Sequence, residues 1–131
     1  MSIVSFRVEI HFPVAASDVW SALVDWGAHG DWIPATRSQI LEGDGGLGTV
    51  FVATSGFGRL ALVDRMRVVQ FDPTARSAGV EKIGPVLHGA AGFTVAETAD
   101  GCSLSWFERV QVPTLPRFLA PAAAAIGSAL F

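Results

Sequence analysis

The stretch Cys102-Ser103-Leu104-Ser105-Trp106-Phe107-Glu108-Arg109-Val110-Gln111-Val112 alternates between two kinds of residue. Leu104, Trp106, Glu108, Val110 and Val112 share one parity; Ser103, Ser105, Phe107, Arg109 and Gln111 share the other. Successive side chains of a strand point to opposite faces, so this pattern predicts a half-buried β-strand with an apolar inner row and a mostly polar outer row. The inner row carries one carboxylate, Glu108. Burying an unpaired carboxylate is costly, so Glu108 is expected to be paired, hydrogen-bonded, protonated, or turned toward a cavity.

Outward from this strand, Thr98-Ala99-Asp100-Gly101 reads as the turn to a preceding strand over 90–97. If the turn sets Glu97 opposite Cys102, then Phe93 faces Trp106 and Ala91 faces Glu108. Ala90, Ala91 and Gly92 then place little volume beside the carboxylate. That leaves room for a ligand or lets a helix approach closely, and both readings stay open. Earlier strands are expected at 75–83, 59–69, 49–53 and 38–42, separated by turns near Gly56-Phe57-Gly58 and Phe71-Asp72-Pro73. At the start, Val4, Phe6, Val8, Ile10 and Phe12 alternate with Ser5, Arg7, Glu9 and His11, a first strand ended by Pro13. Ser17 is expected to cap a helix in which Trp20, Leu23 and Val24 fall at helical spacing, and Trp26 to Trp32 adds a further turn before Pro34. Leu115, Phe118, Leu119, Ala122, Ile126 and Leu130 predict a terminal helix. The expected architecture is α+β: a curved antiparallel seven-stranded sheet, two short helices after strand 1, and a C-terminal helix over the concave face, all in a single domain spanning 1–131.

Composition narrows the function classes. Half of the 131 residues are hydrophobic, enough for one real core and too few residues for a second domain. Net charge is −3 and the basic residues form no run, which argues against nucleic-acid binding. The single cysteine, Cys102, excludes an internal disulfide and fits a reducing compartment. Met1 to Arg7 lacks the pattern of a secretion signal, and the weakly polar stretch 118–131 is broken by Pro121 and shorter than the ~18 residues of a membrane span. A cytoplasmic protein with no membrane span is expected.

Several residue groups carry the resemblance of this chain to a known superfamily. They are Val14-Ala15-Ala16-Ser17-Asp18-Val19-Trp20 at the first helix, Trp26 and Trp32 around the second, Gly84-Pro85-Val86-Leu87-His88-Gly89 before the penultimate strand, and Ser105-Trp106-Phe107-Glu108 in the last. On these the chain resembles the START/Bet v 1-like (SRPBCC) superfamily, in particular its polyketide cyclase/dehydrase-like branch. The resemblance implies a helix-grip fold in which a curved sheet wraps a long C-terminal helix. Members carry lipids, sense hormones or cyclise polyketides, so the fold does not select among these functions. The chain departs from the family in the shortness of the tail after Leu115, which ends on Ala129-Leu130-Phe131. Either the cavity is more open than usual, or the apolar end packs against a second copy as a homodimer.

The chemical motifs exclude more than they assign. Gly43-Asp44-Gly45-Gly46-Leu47-Gly48 matches the dinucleotide pattern G-x-G-x-x-G, but a strand follows it where that motif needs a helix, so a hairpin loop is expected. No serine sits in a nucleophile elbow, and His11, His29, His88 and Cys102 show no metal-ligand spacing, so neither a metal nor a cofactor is expected. Glu108 has an ordinary reading, an ion pair to Arg65, Arg67 or Arg109, and a sharper one as a cavity carboxylate. Asp64 shares the parity of Leu62, Met66 and Val68 and supports the sharper reading as a second inward acid. Glu108, His88 and Asp64 are therefore the candidate catalytic residues, because two carboxylates in different environments can divide acid and base roles. Trp32 at the expected mouth, Trp106, Ala91, Phe93 and Phe118 are the candidate ligand contacts, with Trp20 assigned to the core. The expected partner is a hydrophobic or lipid-like small molecule, and the favoured function is its binding. The alternative is polyketide cyclase/dehydratase-like catalysis with Glu108 as general acid or base.

Overall fold

A computed structural model describes residues 2–56, 61–84 and 87–112. Strand β1 (Ser2–Phe12) is followed by helix α1 (Ala16–Leu23) and a 3-10 helix (Trp26–Asp31). Six strands complete the described chain: β2 (Thr36–Glu42), β3 (Val50–Ser55), β4 (Leu62–Asp72), β5 (Ser77–Ile83), β6 (His88–Thr98) and β7 (Gly101–Val112). They form one antiparallel sheet in the order β1-β7-β6-β5-β4-β3-β2. β1 and β2, consecutive in the chain, lie at opposite edges. The segment joining them must therefore cross the sheet, and it does so with both helices, α1 against β6 and β7 and the 3-10 helix against β2. The expected terminal helix and Phe118 lie outside the described residues.

The register between the last two strands follows from their turn. Thr98 faces Gly101, Glu97 faces Cys102, Phe93 faces Trp106 and Ala91 faces Glu108. Phe93 and Trp106 stack with ring centres 5.3 Å apart on the inner face. β7 also pairs with β1 along its whole length, placing Phe6 against Glu108 and Val4 against Val110. Register shifts occur between Ile40 and Glu42 and between Val68 and Gln70. Such bulges bend a strand and increase its twist, which curves the sheet around its inner face. At Gly89 the backbone φ is +147°, and an added Cβ would stand 2.0 Å from the Arg109 carbonyl oxygen, so only glycine lets β6 approach β7 there.

Some boundaries differ from the sequence reading. α1 begins after Ala15, whose carbonyl accepts the Asp18 N–H at 3.0 Å, and not after Ser17. The reason is the apolar stripe Ala16, Val19, Trp20 and Leu23, all buried, which starts two residues earlier than a Ser17 cap would allow. β5 starts at Ser77 rather than Ala75. Asp72 Oδ1 accepts the N–H groups of Thr74 and Ala75, both at 3.1 Å, and Arg76 adopts φ +51°, so the turn holds those residues out of the strand.

The core lies between α1 and the inner sheet face. Trp20 packs edge-on against Phe93, with centroids 5.8 Å apart, and Val95, Leu104 and the fully buried Cys102 fill the space beneath α1. Side chains of opposite parity, such as Arg7, Arg65, Arg67 and Arg109, are exposed on the outer face.

Candidate functional site

The inner face is solid beneath α1 and hollow beyond it. Past the Phe93–Trp106 stack a cavity of about 400 Å³ opens between the sheet and the 3-10 helix. Among the described residues its apolar walls include Val4, Phe6, Trp26, Phe51, Met66, Val80, Ala91, Phe93, Trp106 and Val110. A charged group interrupts them. Asp64 from β4, Lys82 from β5 and Glu108 from β7 converge at one place on the cavity wall.

Lys82 is the centre of this cluster and is only 5 % exposed. Its Nζ donates to Asp64 Oδ2, lies 3.8 Å from Met66 Sδ, and stands 3.9 Å from Glu108 Oε2. Lys82 pairs with Met66 on one side and Gly89 on the other, and Glu108 pairs with Ala91. The small Gly89 and Ala91 leave the lysine free to reach across β6 to a carboxylate two strands away. Trp106, two residues before Glu108 on the same face, donates its indole N–H to Glu108 Oε1 at 3.3 Å. Asp64 Oδ1 is the one buried side-chain oxygen or nitrogen among the described residues without a hydrogen-bond partner.

Burial in these apolar walls raises the Glu108 pKa above the usual carboxylate value. The Lys82 charge pulls it back down, the neighbouring Asp64 charge pushes it up, and the Trp106 hydrogen bond lowers it. Two carboxylates share one ammonium, so a proton held on Glu108 makes the cluster neutral.

Elsewhere the lining carries further polar residues, Thr36, Ser55 and, from the 3-10 helix, His29. Its Nε2–H donates to the Leu23 carbonyl oxygen at 2.7 Å, while rings of Trp26, Trp32 and Phe51 surround it. Burial lowers its pKa against the opposing effects of the Leu23 hydrogen bond and the Asp25 charge, so the ring is neutral at pH 7. With Nε2 donating, Nδ1 is the acceptor. Trp26 ties this helix to the glycine-rich β2–β3 loop by donating its indole N–H to the Gly45 carbonyl at 2.8 Å, and Gly45 N–H donates to Thr49 Oγ1 at 2.8 Å. The glycine pattern is therefore a hairpin loop that braces the cavity wall.

The structure gathers some of the expected residues and separates others. Glu108, Asp64, Trp106, Ala91 and Phe93 all border the cavity. His88 does not: it is exposed at the first position of β6, on the parity of Ala90 and opposite to that of Ala91, so its side chain leaves by the outer face. Trp32 also stands outside the lining, 36 % exposed, with its ring 5.2 Å from His29, and Trp26 occupies the wall instead. The expected arginine partners of Glu108 are corrected to Lys82, because Arg65, Arg67 and Arg109 have outer-face parity. Lys82 itself escaped notice, although Ala78, Val80 and Lys82 alternate inward along β5. His29 carried no pattern that distinguishes it from a loop residue. Among the described residues no group of histidine, cysteine, aspartate and glutamate is arranged to hold a metal ion, and no helix is long and apolar enough to cross a membrane.

Comparison with known proteins agrees with this geometry. The family model described as polyketide cyclase / dehydrase and lipid transport matches residues 4–130. The Zhui aromatase/cyclase from Streptomyces sp. R1128 superposes with a TM-score of 0.75 at 16 % identity, covering 98 % of this chain and 84 % of that one. Ara h 8.0201 superposes with a TM-score of 0.73 at 18 % identity over 98 % and 93 % of the two chains. Norcoclaurine synthase from Thalictrum flavum, solved with dopamine and hydroxybenzaldehyde, gives 0.62 at 19 % identity over 97 % and 83 %. At these identities the likeness is one of fold. No curated protein sequence matches the chain.

Proposed function

Since the chain belongs to the polyketide cyclase / dehydrase and lipid transport family, within the START/Bet v 1-like superfamily, we propose that it binds a hydrophobic or aromatic small molecule in the cavity beneath the 3-10 helix. One observation carries this reading: about 400 Å³ of space walled mainly by aromatic and aliphatic side chains, with the charged groups gathered at Asp64, Lys82 and Glu108. Small-molecule sites have this composition, because apolar walls supply affinity and a few polar groups fix orientation. The uncharged fluorescent probe N-phenyl-1-naphthylamine tests it. The expected result is a blue-shifted emission with the native chain that is lost in Ala91→Trp, whose indole would fill the cavity. No emission change with the native chain would overturn the reading.

The raised pKa of Glu108 supports a second reading, general acid–base chemistry of the polyketide cyclase or dehydratase kind. A carboxyl group whose pKa is raised by burial is suited to hold a proton and deliver it to a leaving hydroxyl, and Asp64, ion-paired to Lys82, is the complementary base. Turnover of a hydroxylated substrate by the native chain and its loss in Glu108→Gln are the expected results; equal turnover by the two would sink the catalytic reading and leave the binding one intact.

A further inference from the structure

Of the nine lysines and arginines in the sequence only Lys82 is a lysine. The arginines among the described residues lie at the surface, with Arg7, Arg37, Arg65, Arg67 and Arg109 exposed and Arg76 half-buried, whereas Lys82 is buried and lines the cavity. An ion pair alone does not account for that choice. Arginine is the better partner for a buried carboxylate, because its planar fork takes both oxygens and it keeps its charge. What only lysine supplies is a primary amine that can shed a proton and become a nucleophile.

The surroundings of Lys82 suit that chemistry. Asp64 Oδ2 accepts directly from Nζ, so a base is in place to take the ammonium proton. Glu108 Oε2 stands 3.9 Å from Nζ, too far for a hydrogen bond and near enough to reach an oxygen carried on a carbon bonded to Nζ. The other Glu108 oxygen accepts from the Trp106 indole N–H at 3.3 Å, and burial favours the protonated carboxyl, so an acid faces the amine through Oε2. Charge selects the electrophile. An acyl donor would turn the amine into a neutral amide and strand the Asp64 carboxylate among apolar walls without its cation. An aldehyde or ketone gives an iminium, which keeps the positive charge beside Asp64.

We propose that Lys82 captures carbonyl compounds covalently: its amine condenses with an apolar aldehyde or ketone held in the cavity to form a protonated Schiff base, with Asp64 as base and counterion and Glu108 as acid. Asp64 takes one proton from Nζ, the free amine forms the N–C bond at the carbonyl carbon, and a second Nζ proton moves to the former carbonyl oxygen. Glu108 protonates that hydroxyl, the C–O bond breaks, and water leaves. The proton on Asp64 then restores the one Glu108 gave. In sum, two ammonium protons depart with the carbonyl oxygen as water, the third stays on the iminium nitrogen, and nothing is oxidised or reduced. The inference rests on the binding function proposed above and adds the reactive group of the ligand.

Reductive trapping tests this with the full chain at pH 7, using 2-naphthaldehyde and sodium cyanoborohydride, with peptide mass mapping to separate Lys82 from the α-amine. At this pH an α-amine has on the order of a hundredfold more free base than an ordinary lysine side chain, so the chain unfolded in guanidinium chloride is expected to be labelled first at its terminus. In the folded chain the order is expected to invert, with Lys82 gaining one naphthylmethyl group at least about tenfold faster than in the unfolded chain. An excess of N-phenyl-1-naphthylamine is expected to slow that labelling, and Glu108→Gln to slow it by about tenfold or more. Labelling of Lys82 that is no faster in the folded chain, or is undiminished by the probe, overturns the inference, and a persisting probe emission then leaves the binding function standing. Equal labelling of Glu108→Gln and the native chain removes Glu108 from the step. Absence of both probe emission and Lys82 labelling overturns the binding function and this inference together. The comparison of folded and unfolded native chain decides the question even if Glu108→Gln does not fold.

Discussion

Two halves of one sheet face behave differently in this protein. Beneath α1, Leu104, Val95, Cys102 and Trp20 are packed to near-complete exclusion of solvent. One pleat further along the same strands, Glu108 follows Trp106 on β7 and Ala91 precedes Phe93 on β6, and the face becomes a cavity. Parity is the same, so both halves read as core by periodicity. The difference comes from side-chain volume and charge: small residues at Gly89 and Ala91 leave space that Lys82 enters, and the lysine must be matched by carboxylates. The contrast teaches that a site can be carved from a core by two small residues and one inward cation on strands whose inward parity is unchanged.

That contrast can be broken or sharpened by substitution. The largest effect is expected at the packed half, where Leu104→Ala should lower stability by about 3 kcal/mol in chemical denaturation and leave ligand affinity within about threefold, since the void forms beneath α1 and outside the cavity. A comparable loss of affinity would show that the halves are not independent. Next, Lys82→Met should destabilise by about 2 kcal/mol at neutral pH, less than for a sealed pair because the stranded carboxylates border a cavity. Denaturation curves at about pH 5 should show a smaller deficit, because Glu108, whose pKa burial raises, takes up a proton on acidification and its repulsion with Asp64 is removed.

A smaller effect separates the halves by overpacking. Ala16→Leu, in the buried stripe of α1, should cost about 1.5 kcal/mol, whereas Ala91→Leu should change stability by less than about 0.5 kcal/mol because its side chain enters open space. Equal costs would mean that the hollow half is filled. The smallest change is a pH slope. Glu108 binds its proton more tightly in the folded than in the unfolded chain, so its contribution is fully present below the ordinary carboxylate pKa. It is lost as pH rises from that value through the raised folded one. Glu108→Gln removes a titration and should flatten this decline, by under about 1 kcal/mol between roughly pH 4 and pH 8. An unchanged slope would locate the decline at another group.

How much of this was legible depends on the kind of interaction involved. β7, its turn and its register against β6 were readable because period-2 alternation and a four-residue turn are local, and they placed Ala91 opposite Glu108 correctly. Asp64 was readable as an inward acid for the same reason. His88 was misjudged from its position beside a glycine-rich segment, although the parity of Ala91 and Phe93 already sent it outward. Trp32, expected at the mouth from its place beside Pro34, stands just past the end of the 3-10 helix, whereas Trp26 and His29 within that helix reach the wall. Ser17 lost the cap because burial of Ala16 outweighed a local hydrogen bond.

The sequence alone determined the α+β class, the strand order along the chain, the inner and outer faces, and the presence of an anomalous carboxylate in an apolar row. These depend on alternation and spacing between neighbours in the chain. Only the tertiary structure decided that Glu108 shares Lys82 with Asp64, that Asp64 Oδ1 is left without a partner, and that a void separates this cluster from His29. These facts depend on which strands lie side by side and on how far a flexible lysine reaches across two small residues. Such distances join residues 18 to 44 positions apart, over which no periodic signal survives.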